Sequence, residues 1–297
     1  MVTNAGNFYL SLPEMSNRNT LTPFRISTFQ DHILKWYSCN NRDYLPWRVT
    51  KTRKVSAYHI LVSEVMLQQT QVNRVREKFL AFLKAFSTLH VLSRAPLRDI
   101  LVVWQGMGYN RRAIYLKRAA EILVAKYNGT IPRDPKLLDA LPGIGPYTAG
   151  AIACFAYNKP TVFLDTNIRK VFIHHFFGQK KKDERRKRVS DKEILSVARR
   201  ALWKNDPRRW HYALMDYGAS EFSRRPDLLA KSASYHKQSR FEGSPRYWRS
   251  QIVTYLLSHR HVRIDEIRTF VPGPVSPLLQ SLYKDGLVRK SGNVYYI

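Results

Sequence analysis

The sequence predicts an all-α protein with a small mixed unit at its C-terminus. Apolar residues recur at helical spacing over most of the chain, and almost nothing before residue 287 reads as a strand. Glycine, asparagine and proline fall where those helical stretches start and stop. An alternating pattern appears only in the last residues, Leu287-Val-Arg-Lys-Ser-Gly-Asn-Val-Tyr-Tyr-Ile297, which read as a hairpin turning at Ser291-Gly292-Asn293. At 297 residues and 44% hydrophobic content, the chain is long and apolar enough for one good-sized domain plus a small one.

Residues 1–22 are polar without a sustained period and are expected to be mobile. Phe29, Ile33, Leu34 and Trp36 mark a helix over 28–39, followed by a loop at 43–48. Helices are expected over 57–70 and 72–86, then a short one with Pro96 near its start that ends at Gly106. The long helix 111–127 stops at Asn128-Gly129. Leu141-Pro142-Gly143-Ile144-Gly145 turns the chain into a helix over 148–157, and a loop leads through Asp165 to a helix over 166–176. The basic run 180–188 reads as a solvated loop or a non-specific phosphate contact. Helices over 192–204 and 210–218 come next, and the polar stretch 219–244 reads as a linker. Residues 245–297 form a separate unit of three helices and the terminal hairpin, which resembles a winged helix, a module that contacts DNA or docks proteins.

Fifty lysines and arginines stand against 22 acids, a net charge of +28. A polyanion is the natural partner, and nucleic acid fits better than a membrane surface. No apolar run approaches ~18 residues, so no spanning helix is expected. No charged start followed by a hydrophobic block marks a secretory leader. Cys39 and Cys154 are the only cysteines, too few for a disulfide framework or a four-thiolate cluster. A reducing, intracellular compartment is expected.

The turn at 141–145 is the strongest chemical signal. Gly143 and Gly145 allow positive φ and place no side chain in the way, so backbone N–H groups and the next helix N-terminus can approach a phosphate. Asp165 lies fifteen residues past Gly150, within reach of a strand gripped there. Taken singly, these residues have plainer readings. Such hairpins bind DNA without catalysis, Glu64 on its apolar helix could be a cap or an ion-pair partner, and Asp165 before Thr166 could be a helix N-cap. Trp47 could be core and Tyr109 a satisfied buried phenol.

Together, Leu45-Pro46-Trp47-Arg48, the run 63–72 (Ser-Glu-Val-Met-Leu-Gln-Gln-Thr-Gln-Val), Trp104-Gln-Gly-Met-Gly-Tyr109, the run 141–152 and Leu164-Asp-Thr-Asn-Ile168 resemble the endonuclease III superfamily of DNA glycosylases. Within it they resemble the MutY-type A/G-specific adenine glycosylases, over residues 42–220. The resemblance implies a two-lobed helix–hairpin–helix glycosylase fold with its site in the cleft. Breaking an N-glycosidic bond puts positive charge on the sugar and negative charge on the departing base, which calls for one protonated acid and one carboxylate. By resemblance, Glu64 protonates adenine at N7, and Asp165 stabilises the oxocarbenium-like centre or adds to it covalently. Tyr147 and Asn167 position the carboxylates and the sugar. Tyr147 stands where bifunctional members carry a Schiff-base lysine, which implies a monofunctional enzyme that leaves an abasic site. The target base must leave the stack. Gln69 and Tyr109 correspond to residues that fill or wedge the duplex, with Gln68 beside them, and Leu45, Trp47, Arg48 and Val72 correspond to pocket-lining positions. Gly143 and Gly145 belong to the DNA-gripping hairpin.

Three departures alter the expectation. The family carries four cysteines holding a [4Fe–4S] cluster after the catalytic domain, and the stretch from Met215 onward has none. No cluster is therefore expected, and Arg224, Arg225 and Lys231 stand to take over phosphate contacts. The winged helix takes the place of the Nudix-like domain that reads 8-oxoguanine. An acidic pocket residue of the family aligns with Tyr212. The expected activity is removal of adenine mispaired with guanine or 8-oxoguanine, in base excision repair. A thymine/uracil mismatch glycosylase and a non-catalytic DNA-binding module are the alternatives. The expected state is a monomer on double-stranded DNA with a mismatch or lesion, in the cytoplasm or nucleoid if the source is bacterial. No membrane and no cofactor is expected, although the hairpin admits a monovalent cation.

Overall fold

The computed structural model describes residues 21–48, 56–178, 188–235 and 240–297. Fifteen helices and three short strands are present among them. The first, α1 (Pro23–Asn40), starts earlier than its apolar period shows, because Thr22 caps it by accepting from the Arg25 N–H and Pro23 sits in its first turn. Thr22 is thus part of a helix terminus and not of a mobile tail. The rest of that predicted tail, and most of the basic run 180–188, lie outside the described residues.

One lobe is built from α2 (Ala57–Leu67), α3 (Val72–Ala85), α4 (Leu89–Arg94), α5 (Leu97–Trp104), α6 (Arg111–Tyr127), α7 (Pro135–Asp139) and α8 (Pro146–Tyr157). Here α4 packs on α6, and α8 packs on both α2 and α7. The other lobe joins α1 to α9 (Thr166–Phe177), α10 (Asp191–Arg200) and α11 (Pro207–Ser220), with α9 and α11 in closest association. Both α2 and α8 are buried along most of their length, which is the mark of helices in the middle of a domain. Trp104, Trp210, Phe79, Phe82, Phe155 and Phe172 fill the core. Asn128 adopts φ 49° and closes α6 where the sequence said it would.

The stretch read as a linker packs against the second lobe. It contains α12 (Pro226–Ala230), which lies on α9, and it buries Phe222, Leu228 and Ser232. Val189 donates to Lys231 O at 2.7 Å, and Ala233 returns a bond to Val189 O at 2.9 Å. Its apolar residues are too few and too widely spaced among polar ones to show a helical period.

The C-terminal unit comprises α13 (Pro245–Ser258), β1 (Val262–Arg263), α14 (Ile264–Arg268), α15 (Val275–Lys284), β2 (Arg289–Ser291) and β3 (Val294–Tyr296). The sheet is antiparallel in the order β1-β3-β2, with Val262 opposite Tyr295 and Lys290 opposite Tyr295 on the other side. The three helices and the terminal hairpin stand in the order that the sequence predicts. The two-residue β1 is the addition, since so short a strand has no alternation to read. Among the described residues no helix is long and apolar enough to cross a membrane.

Candidate active site

Glu64 sits in the middle of α2 with only 4% of its surface exposed. Burial, reinforced by the nearby Asp165 carboxylate, pushes its pKa up to about 8, and the Arg48 cation opposes the rise. At neutral pH Glu64 is therefore a carboxylic acid with a proton to give. Asp165 lies at the N-cap of α9. Its Oδ1 accepts from the Ile168 N–H at 2.6 Å, and its Oδ2 accepts from Asn167 Nδ2 at 3.2 Å. The helix-cap reading and the site reading of Asp165 hold together. Burial raises the Asp165 pKa, opposed by donors from Ile168 and Asn167 and by the charge of Arg169.

Tyr147 occupies the first turn of α8, edge-on to Phe163 at 5.5 Å. Burial and the negative fields of Glu64 and Asp165 hold its phenol well above the ordinary range, so it remains a neutral hydroxyl. The structure thus brings Glu64, Tyr147, Asp165 and Asn167 together where α2, α8 and α9 meet.

The hairpin leads directly into the start of α8, beside that cluster. Gly143 has φ +73°, and a Cβ there would meet Tyr115 Cβ at 2.7 Å, so both backbone and space require glycine. Gly145 does not adopt the positive φ that its sequence allows. It is extended at φ −93° and ψ 177°, since it serves as the N-cap of α8 ahead of Pro146. A Cβ on Gly145 would meet nothing within 4 Å, which leaves the outer side of the turn open. Gln68 ties α2 to the hairpin, donating from Nε2 to Gly143 O at 3.1 Å and to Thr148 Oγ1 at 3.2 Å.

Gln69 and Tyr109 sit on two neighbouring loops, and both are left-handed, at φ 54° and φ 47°. Such conformations persist in non-glycine residues only where the surroundings over-determine them. Here the over-determination comes from Arg112. Its Nη1 donates toward the carbonyls of Val65, Met66 and Gln68, and its Nη2 toward Thr70 Oγ1, Met107 O and Gly108 O. Burial lowers the Arg112 pKa to about 10. Tyr109 itself is 40% exposed, which rules out the buried-phenol reading.

Among the predicted pocket residues, Leu45 and Trp47 are buried, Trp47 lying edge-on to Phe79 at 5.4 Å. Val72 is half-buried in the first turn of α3. Arg48 is engaged within the protein: its two terminal nitrogens bind Asp216 at 2.6 and 2.7 Å, and Arg42 Nε reaches the same carboxylate at 2.6 Å. The Arg48 guanidinium lies 4.3 Å over the ring of Tyr212, which in turn stacks on Phe155 at 4.4 Å. The Tyr212 hydroxyl is buried without a hydrogen-bond partner among the described atoms.

A model of the HhH-GPD superfamily of base excision DNA repair proteins matches residues 62–194. The chain is 31% identical over 280 residues to an adenine DNA glycosylase of Mycolicibacterium smegmatis, covering 88% of this chain and 92% of that protein. The chain belongs to the adenine DNA glycosylase family. It is 41% identical to the Buchnera aphidicola member over 148 residues and 38% identical to the Homo sapiens member over 151 residues. It spans 41% of the former's length and 28% of the latter's. Among solved structures, a thermostable thymine-DNA glycosylase superposes with a TM-score of 0.59 at 26% identity, over 71% of this chain and 93% of that one. An endonuclease III–DNA complex, 21% identical with a TM-score of 0.56, shares the fold over 72% of this chain and 96% of its own.

The iron–sulfur cluster that the family resemblance implies has no fitting donors in this adenine glycosylase chain. Cys39 is exposed, and Cys154 is buried with its Sγ 3.6 Å from His211 Nδ1. Where cluster ligands are expected, Phe222 packs against His174 at 4.7 Å and Tyr217 at 5.6 Å, and Lys170 Nζ donates to Phe222 O at 3.1 Å. Arg224, Arg225 and Lys231 are exposed on this segment, Arg225 paired with Asp227 at 2.8 Å.

Three residues that sequence reasoning missed shape the site: Arg112, Asp216 and Gly218. A Cβ at Gly218 would fall 2.4 Å from Asn167 O, so α11 can approach the start of α9 only with glycine there. A glycine inside a helical period was the available signal for Gly218. For Arg112 the signal was a cation at a helix N-terminus, against the macrodipole.

Proposed function

We propose that this protein hydrolyses the N-glycosidic bond of adenine mispaired with guanine or 8-oxoguanine in duplex DNA. The product is an abasic site in an unbroken strand. The observation that carries the reading is the carboxyl pair: burial raises both, holding Glu64 neutral with its pKa near 8, and only Asp165 is given donors for its anion, from Ile168 N–H and Asn167 Nδ2. Glu64 gives its proton to the ring of the extruded adenine as the bond electrons leave with the base. The cation on the sugar faces Asp165, and water then adds to it, returning a proton to the Glu64 carboxylate. Tyr147 offers a hydroxyl where a lyase needs an amine, so the strand stays intact.

Supporting the DNA reading are the +28 charge and the open hairpin. The chain is expected to act as a monomer without a cluster, its exposed Arg224 and Lys231 available to phosphates. The likeness to the thymine-DNA glycosylase favours one second reading, release of thymine or uracil from mispairs with guanine. Single-turnover base release on labelled A:8-oxoG, A:G, T:G and U:G duplexes decides between them. Release from the adenine strands only, with breaks appearing only after alkali, is expected. Release at T:G or U:G instead moves the protein to the mismatch branch, and breaks without alkali overturn the monofunctional assignment.

A further inference from the structure

The charges around Asp165 come from several elements. Glu64 stands near it on α2 and Tyr147 on α8, the first protonated at neutral pH and the second a neutral hydroxyl. On α9 itself are Arg169 and Lys170. Lys170 is committed elsewhere, its Nζ donating to Phe222 O at 3.1 Å. From α11 this end of α9 meets Gly218, which brings no charge. Arg225, Asp227 and Lys231, on and around α12, act on His174 at the other end. Arg169 is therefore the cation whose field bears on Asp165 and opposes its protonation.

Arg169 lies one turn beyond Asp165, and its backbone N–H donates to Asp165 O at 3.0 Å. A cation so near a helix N-terminus works against the macrodipole, so another group must hold it. That group is Asp191, which accepts from Arg169 Nε at 3.0 Å and from Nη2 at 2.8 Å. Two parallel bonds fix the plane of the guanidinium as one bond cannot. Asp191 sits in the first turn of α10, where the macrodipole favours an anion, and it also accepts from Ser234 Oγ at 2.8 Å. The bond from Arg169, above all, holds the Asp191 carboxyl below the usual carboxylate range. Ser234 Oγ is in turn 3.0 Å from Oγ of the buried Ser232. The Nε–Nη2 edge with which an arginine grips a phosphate is thus occupied by a carboxylate of the protein.

We propose that Arg169, clasped by Asp191, is a positioning residue that supplies the counter-charge to Asp165 and sets the acidic limit of base release. Asp191, Arg169 and Asp165 form a row of alternating charge across the starts of α10 and α9. Burial alone drives Asp165 towards its neutral form, which has no charge to offer a cationic sugar. The fixed guanidinium opposes this, and because Asp191 restrains its rotamers, its field at Asp165 does not fluctuate with the side chain. The balancing charge of Asp191 also keeps the cation from facing the sugar unpaired. The assignment rests on the base-release reading above, so one arm of its test is read without catalysis.

Single-turnover release from an A:G duplex at saturating protein is followed against pH for the parent, Arg169→Gln, Arg169→Lys, Asp191→Asn and the Arg169→Gln/Asp191→Asn pair. Arg169→Gln is expected to move the acid-side fall up by about one pH unit. The alkaline fall should stay in place, because the charges acting on Glu64 are those of Asp165 and Arg48. Arg169→Lys keeps the charge and should move the acid side less than Arg169→Gln does. Asp191→Asn should move it in the same direction by a smaller amount, and the double variant no further than Arg169→Gln alone, since Asp191 acts through Arg169. In parallel, the Asp165 carboxyl is titrated by carbon NMR on aspartate-labelled protein without DNA, its signal assigned with Asp165→Asn. Slowing by one factor at every pH, with both falls in place, overturns the assignment and leaves Arg169 a structural residue. Weaker DNA binding with the saturated profile unmoved overturns it in favour of a phosphate contact. If the parent releases no base yet the carboxyl titration shifts in Arg169→Gln, the base-release reading falls and the counter-charge role of Arg169 stands. If adenine is released while neither the titration nor the acid-side fall moves, the Arg169 assignment alone falls.

Discussion

Glu64 and Phe222 are both buried near α9, at 4% and 5% exposure, and burial does opposite work at the two. At Glu64 a charge is denied solvent, and the cost appears as a carboxyl that keeps its proton to about pH 8. At Phe222 an aromatic ring covers the far half of the same helix and stabilises the fold by leaving water. On the proposed reading one end of α9 carries the reacting groups at a cost in stability, while the other end contributes packing. The comparison teaches that one helix can meet two different demands at its two ends, a buried titratable pair at one and aromatic packing at the other.

The sharpest way to break that separation is Asp165→Asn. Asparagine caps helices as well as aspartate does, so α9 and the melting temperature should hold while base release falls by about a thousandfold or more. Surviving turnover would remove Asp165 from the reaction. Arg112→Ala comes next, with an expected loss of roughly 3–5 kcal/mol in urea unfolding, because six backbone and hydroxyl acceptors lose their donor. Arg112→Lys should not restore it, as an ammonium cannot span both loops. On the supporting side, Phe222→Ala should cost about 3 kcal/mol of stability. Base release measured well below the melting point should be unchanged; a matching loss of single-turnover rate would show that the two ends of α9 are not independent. The smallest effect is in the pH profile. Glu64 must be protonated to act, so the rate should fall about tenfold per unit above about pH 8, and on the acid side it should fall again where Asp165 takes up a proton. A profile that stays flat to pH 10 would exclude Glu64 as the acid.

Legibility followed the same division. The turn at 141–145 and the runs around Glu64 and Asp165 could be read because the chemistry is written in short, contiguous stretches. The end of α6 could be read because Asn128-Gly129 is a local stop signal. What escaped depends on residues distant in sequence. Arg112 reaches carbonyls more than forty residues away, Asp216 anchors Arg48 across 168 positions, and Gly218 matters only because α11 lies on Asn167. The packed segment 219–235 passed for a linker because its buried residues, Phe222, Leu228 and Ser232, follow no single period. Gly145 does not use the positive φ open to it, because two glycines in one turn do not have to share one role.

The buried acid also makes folding itself a proton-binding reaction. Glu64 titrates near 4.5 when exposed and near 8 in the folded protein. Below the first value both states hold the proton and nothing is lost. Between the two, the folded chain holds a proton that the unfolded chain has given up, so stability falls as pH rises through that window and levels off above it. Refolding near pH 7 should therefore draw close to one proton from solution at this site. The heat of unfolding should then vary with the ionisation enthalpy of the buffer, and Glu64→Gln should remove that part of the dependence.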